Sequence, residues 1–245
     1  MGVSCVLGIA FYAITLIGVK LSSKIVLRLG GSILASPINA QLVKRYAEII
    51  KAQLSRGVSM GVVVGGGSMA REYIRAATEL GLANSKKDAL AIRISRVNAE
   101  LFNDALGGRF GVSLSIRSAL RSISKQGFAV MGGLRPGMTT DYVAFLLAKS
   151  MGAGILFKAT DQEGIYDADP RKNPSARLIR KMSYAELESI VGRGLHEPGI
   201  HSILDPLTVR GLPETRLKVM VFNGMVPDNL DRAINGEPVG TLVTP

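Results

Sequence analysis

Residues 58–73, VSMGVVVGGGSMAREY, run from a valine-rich segment through three consecutive glycines into residues at helical spacing. Val58 to Val64 predicts a buried strand, since β-branched residues in a short apolar run suit a covered sheet. Gly65, Gly66 and Gly67 end it. Ser68 is then expected to cap a helix whose Met69, Tyr73, Ala76 and Leu80 share one face. Strand, glycine turn and helix in immediate succession is the repeating unit of an α/β protein.

The unit recurs on both sides. Upstream, Lys24 to Leu29 (KIVLRL) predicts a strand ended by Gly30-Gly31-Ser32. Asn39 to Arg56 follows as a helix with Val43, Tyr46, Ile50 and Leu54 inward. Downstream, Lys86 to Leu106 predicts a long helix with Leu90, Ile94, Val97 and Leu101 inward, and Ser115 to Lys125 another. Phe128 to Met131 is a short strand ended by Gly132-Gly133, followed by a helix from Thr139 to Met151. Ile155 to Ala159 is the next strand. Turns fall at Asp169-Pro170 and Asn173-Pro174. Ser183 and Glu186 form a capping box for a helix to Val191. Leu217 to Phe222 and Gly240 to Thr244 complete the strands. The expected fold class is α/β, a mostly parallel central sheet with helices on both faces.

Ligands of open α/β sheets bind beyond the carboxyl ends of the strands. Here three strands end in glycines, which let backbone N–H groups approach a phosphate without a Cβ in the way. The helices that follow aim their positive ends at the same region. No G-x-x-x-x-G-K-[ST] occurs, and no G-x-G-x-x-G opens a helix after the first strand. A P-loop enzyme and a dinucleotide dehydrogenase are therefore disfavoured. Arg28 sits in an apolar strand, where an arginine needs a partner. Arg71 follows the triple glycine. Arg109, Arg117, Arg121, Lys125 and Arg135 occupy a stretch free of acids between Asp104 and Asp141.

Composition narrows the partners. The 245 residues carry a net charge of +11, which suits an anionic ligand. Aromatics make up only 5% and no tryptophan occurs, so no stacking platform for nucleic acid is visible. Cys5 is the only cysteine, and His196 and His201 are the only histidines, five apart. Neither a disulfide framework nor a zinc cluster can be built from them, and a Ser-His-Asp hydrolase lacks its G-x-S-x-G elbow. Gly2 to Val19 is uncharged and near the ~18-residue length of a membrane span. It competes as an anchor, as a signal peptide without its basic start, or as residues upstream of the true start. The expectation is the last of these, with residues 1–23 as an apolar extension and the folded domain beginning at Lys24.

The segments KIVLRLGGSIL, VVVGGGSMAREYI, KDALAIRISRVNAELF, VMGGLRPGMTTDYVA, TDQEGIYDADPRKNP and DPLTVR occur in the order and spacing of the amino acid kinase family. The chain resembles that family over about Lys24 to Pro245, and within it the archaeal-type uridylate (UMP) kinases. The resemblance implies a three-layer sandwich with an acceptor half, about 24–150, and an ATP half, about 151–245. It implies that Gly66, Asp88, Leu134, Arg135, Pro136, Gly137, Met138, Thr139 and Thr140 contact UMP. It likewise implies that Gly31, Ser32, Gly67 and Arg71 hold the ATP phosphates, with Thr160, Asp161, Tyr166 and Asp169 lining the rest of the ATP site. Arg28 and Arg210 become the candidates for stabilising the transferring group, with Asp205 orienting the basic groups.

The reaction so implied is transfer of the γ-phosphoryl group of ATP to UMP, with Mg²⁺ bridging the ATP phosphates, in pyrimidine nucleotide biosynthesis. No protein metal ligand is expected. A cytoplasmic homohexamer is the implied setting, with no nucleic acid or membrane partner. Many relatives carry lysine where Arg28 and Arg210 stand, Thr-His where Leu134-Arg135 stands, and Thr-Asn-Val-Asp-Gly where Thr160 to Gly164 reads TDQEG. Arginine keeps the charge and changes the geometry. Two alternatives stay open: another small-molecule kinase of the family, acting on acetylglutamate, carbamate or isopentenyl phosphate, or a non-catalytic nucleotide- or oxyanion-binding protein.

Overall fold

In chain order, β1 (Lys24–Leu29) leads through the short α1 (Gly31–Leu34) and through α2 (Ala40–Ser55) to β2 (Ser59–Val64). Then come α3 (Gly67–Glu79), α4 (Asn84–Ala105), α5 (Ile116–Gln126) and β3 (Phe128–Met131). Next are α6 (Thr140–Met151), β4 (Ile155–Thr160) and a hairpin of β5 (Ile165–Tyr166) and β6 (Leu178–Ile179). β7 (Lys181–Ser183), α7 (Tyr184–Arg193), α8 (Pro206–Gly211), β8 (Lys218–Asn223), α9 (Asp228–Ile234) and β9 (Thr241–Thr244) complete the chain. This computed structural model describes residues 23–35, 37–193 and 204–245. The apolar residues 1–22, Cys5 among them, and His196 and His201 lie outside the described residues.

Seven strands form one sheet in the order β3-β2-β1-β4-β8-β9-β7. From β3 to β8 every neighbouring pair is parallel, and β9 runs antiparallel to β8. The chain winds outward from β1 through β2 to β3, then returns to lay β4 on the other side of β1. The strand order therefore reverses between β1 and β4, and the carboxyl ends of those two strands frame a crevice.

Side-chain alternation divides each central strand between two cores. Ile25, Leu27 and Leu29 of β1 pack with Val43 and Tyr46 of α2, Phe102 of α4 and Leu230 of α9. Val26, Val63 and Leu156 pack on the opposite face with Ala119 of α5, Val143 and Leu147 of α6 and Val209 of α8. Helices thus cover both faces, as the alternation of elements predicts. The same parity sends Arg28, two residues past Val26, and Lys158, two past Leu156, toward α6.

Side chains cap several helix starts, the expected Ser183–Glu186 box among them. Asn39 caps α2 through Gln41 and Leu42 N–H, and Ser115 caps α5. Ser183 and Glu186 exchange their capping-box bonds at 2.7 and 3.3 Å. Two expectations are corrected. Ser68 is not the cap of α3; the helix starts at Gly67 without a side-chain cap, and Ser68 Oγ donates to Ala35 O. Met69 and Tyr73 of α3 and Leu80 just after it are 41%, 49% and 74% exposed, so the face they share points to solvent. On α4, Val97 and Leu101 are 58% and 45% exposed rather than inward. The buried faces are instead Gly67, Ala70 and Ala77 of α3, and Ser95, Asn98, Ala99, Phe102 and Asn103 of α4. Small residues let α3 and α4 pack together, with Met69, Tyr73, Val97 and Leu101 left outward. The short strands β5, β6 and β7 lie where loop and turns are expected from the sequence.

Candidate functional site

Two cations meet one carboxylate at the crevice. Arg28 and Lys158 are lateral neighbours in the β1–β4 register, so their side chains leave the same face side by side. Like charges at that spacing repel unless an anion separates them. Asp141, in the first turn of α6, does so. Lys158 Nζ donates to Asp141 Oδ2 at 2.7 Å. Arg28 Nε lies 2.7 Å from Oδ1, close enough for an ion pair but off the line of a hydrogen bond. Arg28 also donates to Thr140 Oγ1 at 3.2 Å. Lys158 is only 3% exposed.

Burial raises the Asp141 pKa, but Arg28 and Lys158 outweigh it and hold the carboxyl below its ordinary value. Burial pushes the Lys158 ammonium down, and Asp141, opposed by Arg28, offsets this only in part. Two cations and one carboxylate leave a surplus positive charge beside the strand ends.

That charge opens into a cavity of about 650 Å³, a size that suits a nucleotide. Its floor is the meeting of two glycine turns. Gly67 has φ +70°, and a Cβ there would run into the carbonyl oxygens of Gly31 and Ala35. A Cβ on Gly31 would strike the Gly67 backbone. Only glycine allows this approach, and it brings the uncapped N–H groups of α3 to the cavity wall. Gly31, Ser32, Gly67, Thr160, Asp161 and Asp205 line this cavity and not its neighbour.

The neighbouring cavity, about 620 Å³, is lined by Asp88, Ala91, Ile92 and Ser95 of α4 and by Gly133, Gly137 and Met138 of the loop after β3. Arg28, Gly66, Ala70, Arg71, Thr139 and Thr140 line both. The two cavities thus share one wall, and that wall carries two arginines and the start of α3.

Most residues expected at a site come to these cavities. Gly31, Ser32, Gly66, Gly67 and Arg71 do, as do Asp88, Gly137, Met138, Thr139, Thr140, Thr160 and Asp161. Several are already engaged: Thr139 Oγ1 caps α6 through Tyr142 N–H, and Asp88 Oδ2 accepts from Gly137 N–H at 2.8 Å. Asp205 lines the first cavity while its Oδ1 caps α8, and its backbone hydrogen-bonds Asp141.

Leu134, Arg135 and Pro136 belong to the loop after β3 but line neither cavity. Tyr166 and Asp169 stand in and beside the β5–β6 hairpin, outside both cavities; Asp169 Oδ1 accepts from Arg171 N–H. Arg210, in the last turn of α8, is exposed and lines neither cavity. Lys158 occupies the interior position beside Arg28 instead. Sequence reasoning missed Lys158, although a lysine inside ILFKAT carries the same signal as the arginine inside KIVLRL. It also missed Ser95 and Arg171, whose helix and loop positions carry no such signal.

The amino acid kinase family model matches residues 23–223. A uridylate kinase of Hyperthermus butylicus is 40% identical over 211 residues, spanning 85% of this chain and 93% of its own. A uridylate kinase of Natronomonas pharaonis is 34% identical over 224 residues, spanning 91% and 99%. The crystal structure of uridylate kinase from Archaeoglobus fulgidus matches with a TM-score of 0.81 at 34% identity, covering 90% of this chain and 100% of that one.

Proposed function

The chain belongs to the amino acid kinase family, and from that premise we propose that it transfers the γ-phosphoryl group of ATP to UMP, giving UDP and ADP. The observation that carries this reading is the pair of cavities at the switch point, joined along a wall of arginines and glycine turns. A donor and an acceptor of nucleotide size can lie end to end there, with the transferring group at the shared wall.

In this reading the first cavity is the donor's. Gly31, Ser32, Gly67 and Arg71 meet the ATP phosphates, and Thr160 and Asp161 the opposite side. Tyr166 and Asp169, beyond that wall, meet the nucleoside end. The second cavity is the acceptor's. Gly66 and the loop Leu134 to Thr140 meet UMP, and Asp88 offers a carboxylate oxygen to the ribose hydroxyls. All residues of the acceptor cavity fall between 28 and 140, whereas the donor cavity draws on both halves of the chain. The acceptor-half and ATP-half division is proposed on that basis.

The UMP phosphate is already an anion, so the reaction needs no strong general base. One of its oxygens forms a bond to the γ-phosphorus as the bond to the β,γ-bridging oxygen of ATP breaks. Charge spreads over the equatorial oxygens in transit, and catalysis is positioning plus neutralisation. Arg28 and Lys158 supply interior positive charge, Asp141 holds them apart, and the first turn of α3 adds backbone donors. Arg210 is given no phosphate contact.

Among the described residues no group of three or more His, Cys, Asp or Glu could hold a metal ion. Asp141 and Asp205 already serve cations or a helix cap. In this reading Mg²⁺ would enter as a companion of the ATP phosphates, the usual habit of this ion, where it would neutralise their charge.

The proposal includes assembly from copies of the same chain, a hexamer by family resemblance, through the outward apolar residues of α3 and α4. It includes a cytoplasmic location. No helix of the described residues is long and apolar enough to cross a membrane. Purified protein with ATP, Mg²⁺ and UMP is expected to form UDP, read by coupling ADP release to a second enzyme. Other nucleoside monophosphates, acetylglutamate, carbamate and isopentenyl phosphate serve as controls. Turnover of one of those without turnover of UMP overturns the assignment.

A further inference from the structure

The loop that walls the second cavity has one backbone bond of its own, Met138 N–H to Arg135 O at 3.2 Å, and is otherwise held from α4. Helix α4 grips it at two ends. At Ser95-Arg96, the Ser95 hydroxyl accepts from Gly133 N–H at 2.8 Å and donates to Ile92 O at 2.7 Å. Arg96 Nε donates to Gly133 O and Nη2 to Leu134 O, each at 3.0 Å. About two turns earlier, Asp88 takes Gly137 N–H. A Cβ on Gly132 would lie 2.8 Å from the Arg96 backbone nitrogen, so the strand end presses directly against this turn.

Gly133 is buried, and its carbonyl cannot simply turn to water. Without Arg96, that oxygen is unsatisfied or the loop moves to satisfy it. Any such movement carries Gly133, Gly137 and Met138, which line the acceptor cavity and not the donor cavity. Arg96 lines neither cavity, so it acts on the acceptor only through the loop. Two adjacent carbonyls also demand a planar fork of donors, which lysine lacks.

We infer that Arg96 is a positioning residue for UMP: its guanidinium, bridging Gly133 O and Leu134 O, sets the acceptor loop in its binding shape. The inference rests on assigning the second cavity to the acceptor. The test compares wild type, Arg96→Ala and Arg96→Lys in the full chain. KM is measured separately for UMP and ATP, with thermal unfolding and hydrogen exchange of residues 133–137 followed alongside.

Arg96→Ala is expected to raise KM for UMP about tenfold, the cost of a hydrogen-bonded anchor, with KM for ATP within about twofold. Arg96→Lys, with one donor point, falls between. Added guanidinium at tens of millimolar lowers the raised KM of Arg96→Ala, and hydrogen exchange of the loop quickens in that variant. An unchanged KM for UMP overturns the inference, as does an equal rise in both KM values that guanidinium does not reverse. If wild type forms no UDP, the assignment of function fails separately. The loop-exchange result then decides the positioning role alone: quicker exchange supports it and unchanged exchange overturns it.

Discussion

Lys158 sits where the register of two strands and the position of one helix intersect. Parity places it beside Arg28, and the start of α6 places Asp141 between them. Each of the three needs the others, because a buried charge without a partner is costly. Replacing Lys158 with methionine keeps much of the volume and removes the interior charge. The expected result is a fall in kcat of about 10²–10³-fold, the cost of losing one oriented charge or donor at a transition state. KM for UMP should change far less, since Lys158 lines only the donor cavity. Steady-state kinetics with each substrate varied in turn checks it.

Asp141→Asn leaves two cations facing each other and should destabilise the fold by about 3–5 kcal/mol near neutral pH, read by urea unfolding. The pH dependence follows from the direction of the shift. The folded-state pKa of Asp141 is depressed, so its ionised form contributes fully above its unfolded pKa. The contribution fades as pH falls through the folded value. The gap between wild type and Asp141→Asn should therefore stay constant from about pH 5 to 8 and narrow only below about pH 4.

The glycine turns are where element geometry becomes chemistry. Gly67 joins β2 to α3 in a left-handed conformation with the Gly31 and Ala35 carbonyls against it, whereas Gly57, at φ +83°, faces open space. Gly57→Ala should cost only the backbone penalty, about 1–2 kcal/mol. Gly67→Ala adds a collision with backbone that cannot yield without opening the donor cavity. It should be less stable than Gly57→Ala in urea and should raise KM for ATP at least tenfold. Equal stability and unchanged ATP kinetics in the two variants would refute this account of the turn.

At this scale the sequence was most readable where a single residue type has one use. Short apolar runs ended by glycines marked β1, β2 and β3, and the Ser183–Glu186 box marked the start of α7. Strands of two or three residues such as β5 and β7 are too short to display a period. The face of α4 misled because periodicity finds an apolar stripe without saying what covers it. On α4, Ala99 and Phe102 turn inward, while Val97 and Leu101 turn out. The first cavity was legible through its glycines. Arg96 and Ser95 were not, because their task depends on a loop 37 and 38 residues away in sequence.

The outward stripe belongs to the scale of the whole molecule. Met69, Tyr73 and Leu80 on α3, with Val97 and Leu101 on α4, leave large apolar side chains in solvent on two packed helices. Monomers seldom display such surface without use. The same α4 that carries Val97 and Leu101 outward carries Asp88, Ser95 and Arg96 against the acceptor loop. Assembly over this face would hold the helix from outside while it holds the loop from inside. Val97→Glu with Leu101→Glu places charges in the stripe without touching either cavity. The expected result in light scattering is a fall in mass toward the 26.0 kDa of one chain, with helical circular dichroism retained. KM for UMP should rise more than KM for ATP, because α4 lines only the acceptor cavity. An unchanged mass would remove this face from assembly. A lower mass with UMP kinetics intact would separate assembly from the acceptor loop and leave the Arg96 grip sufficient by itself.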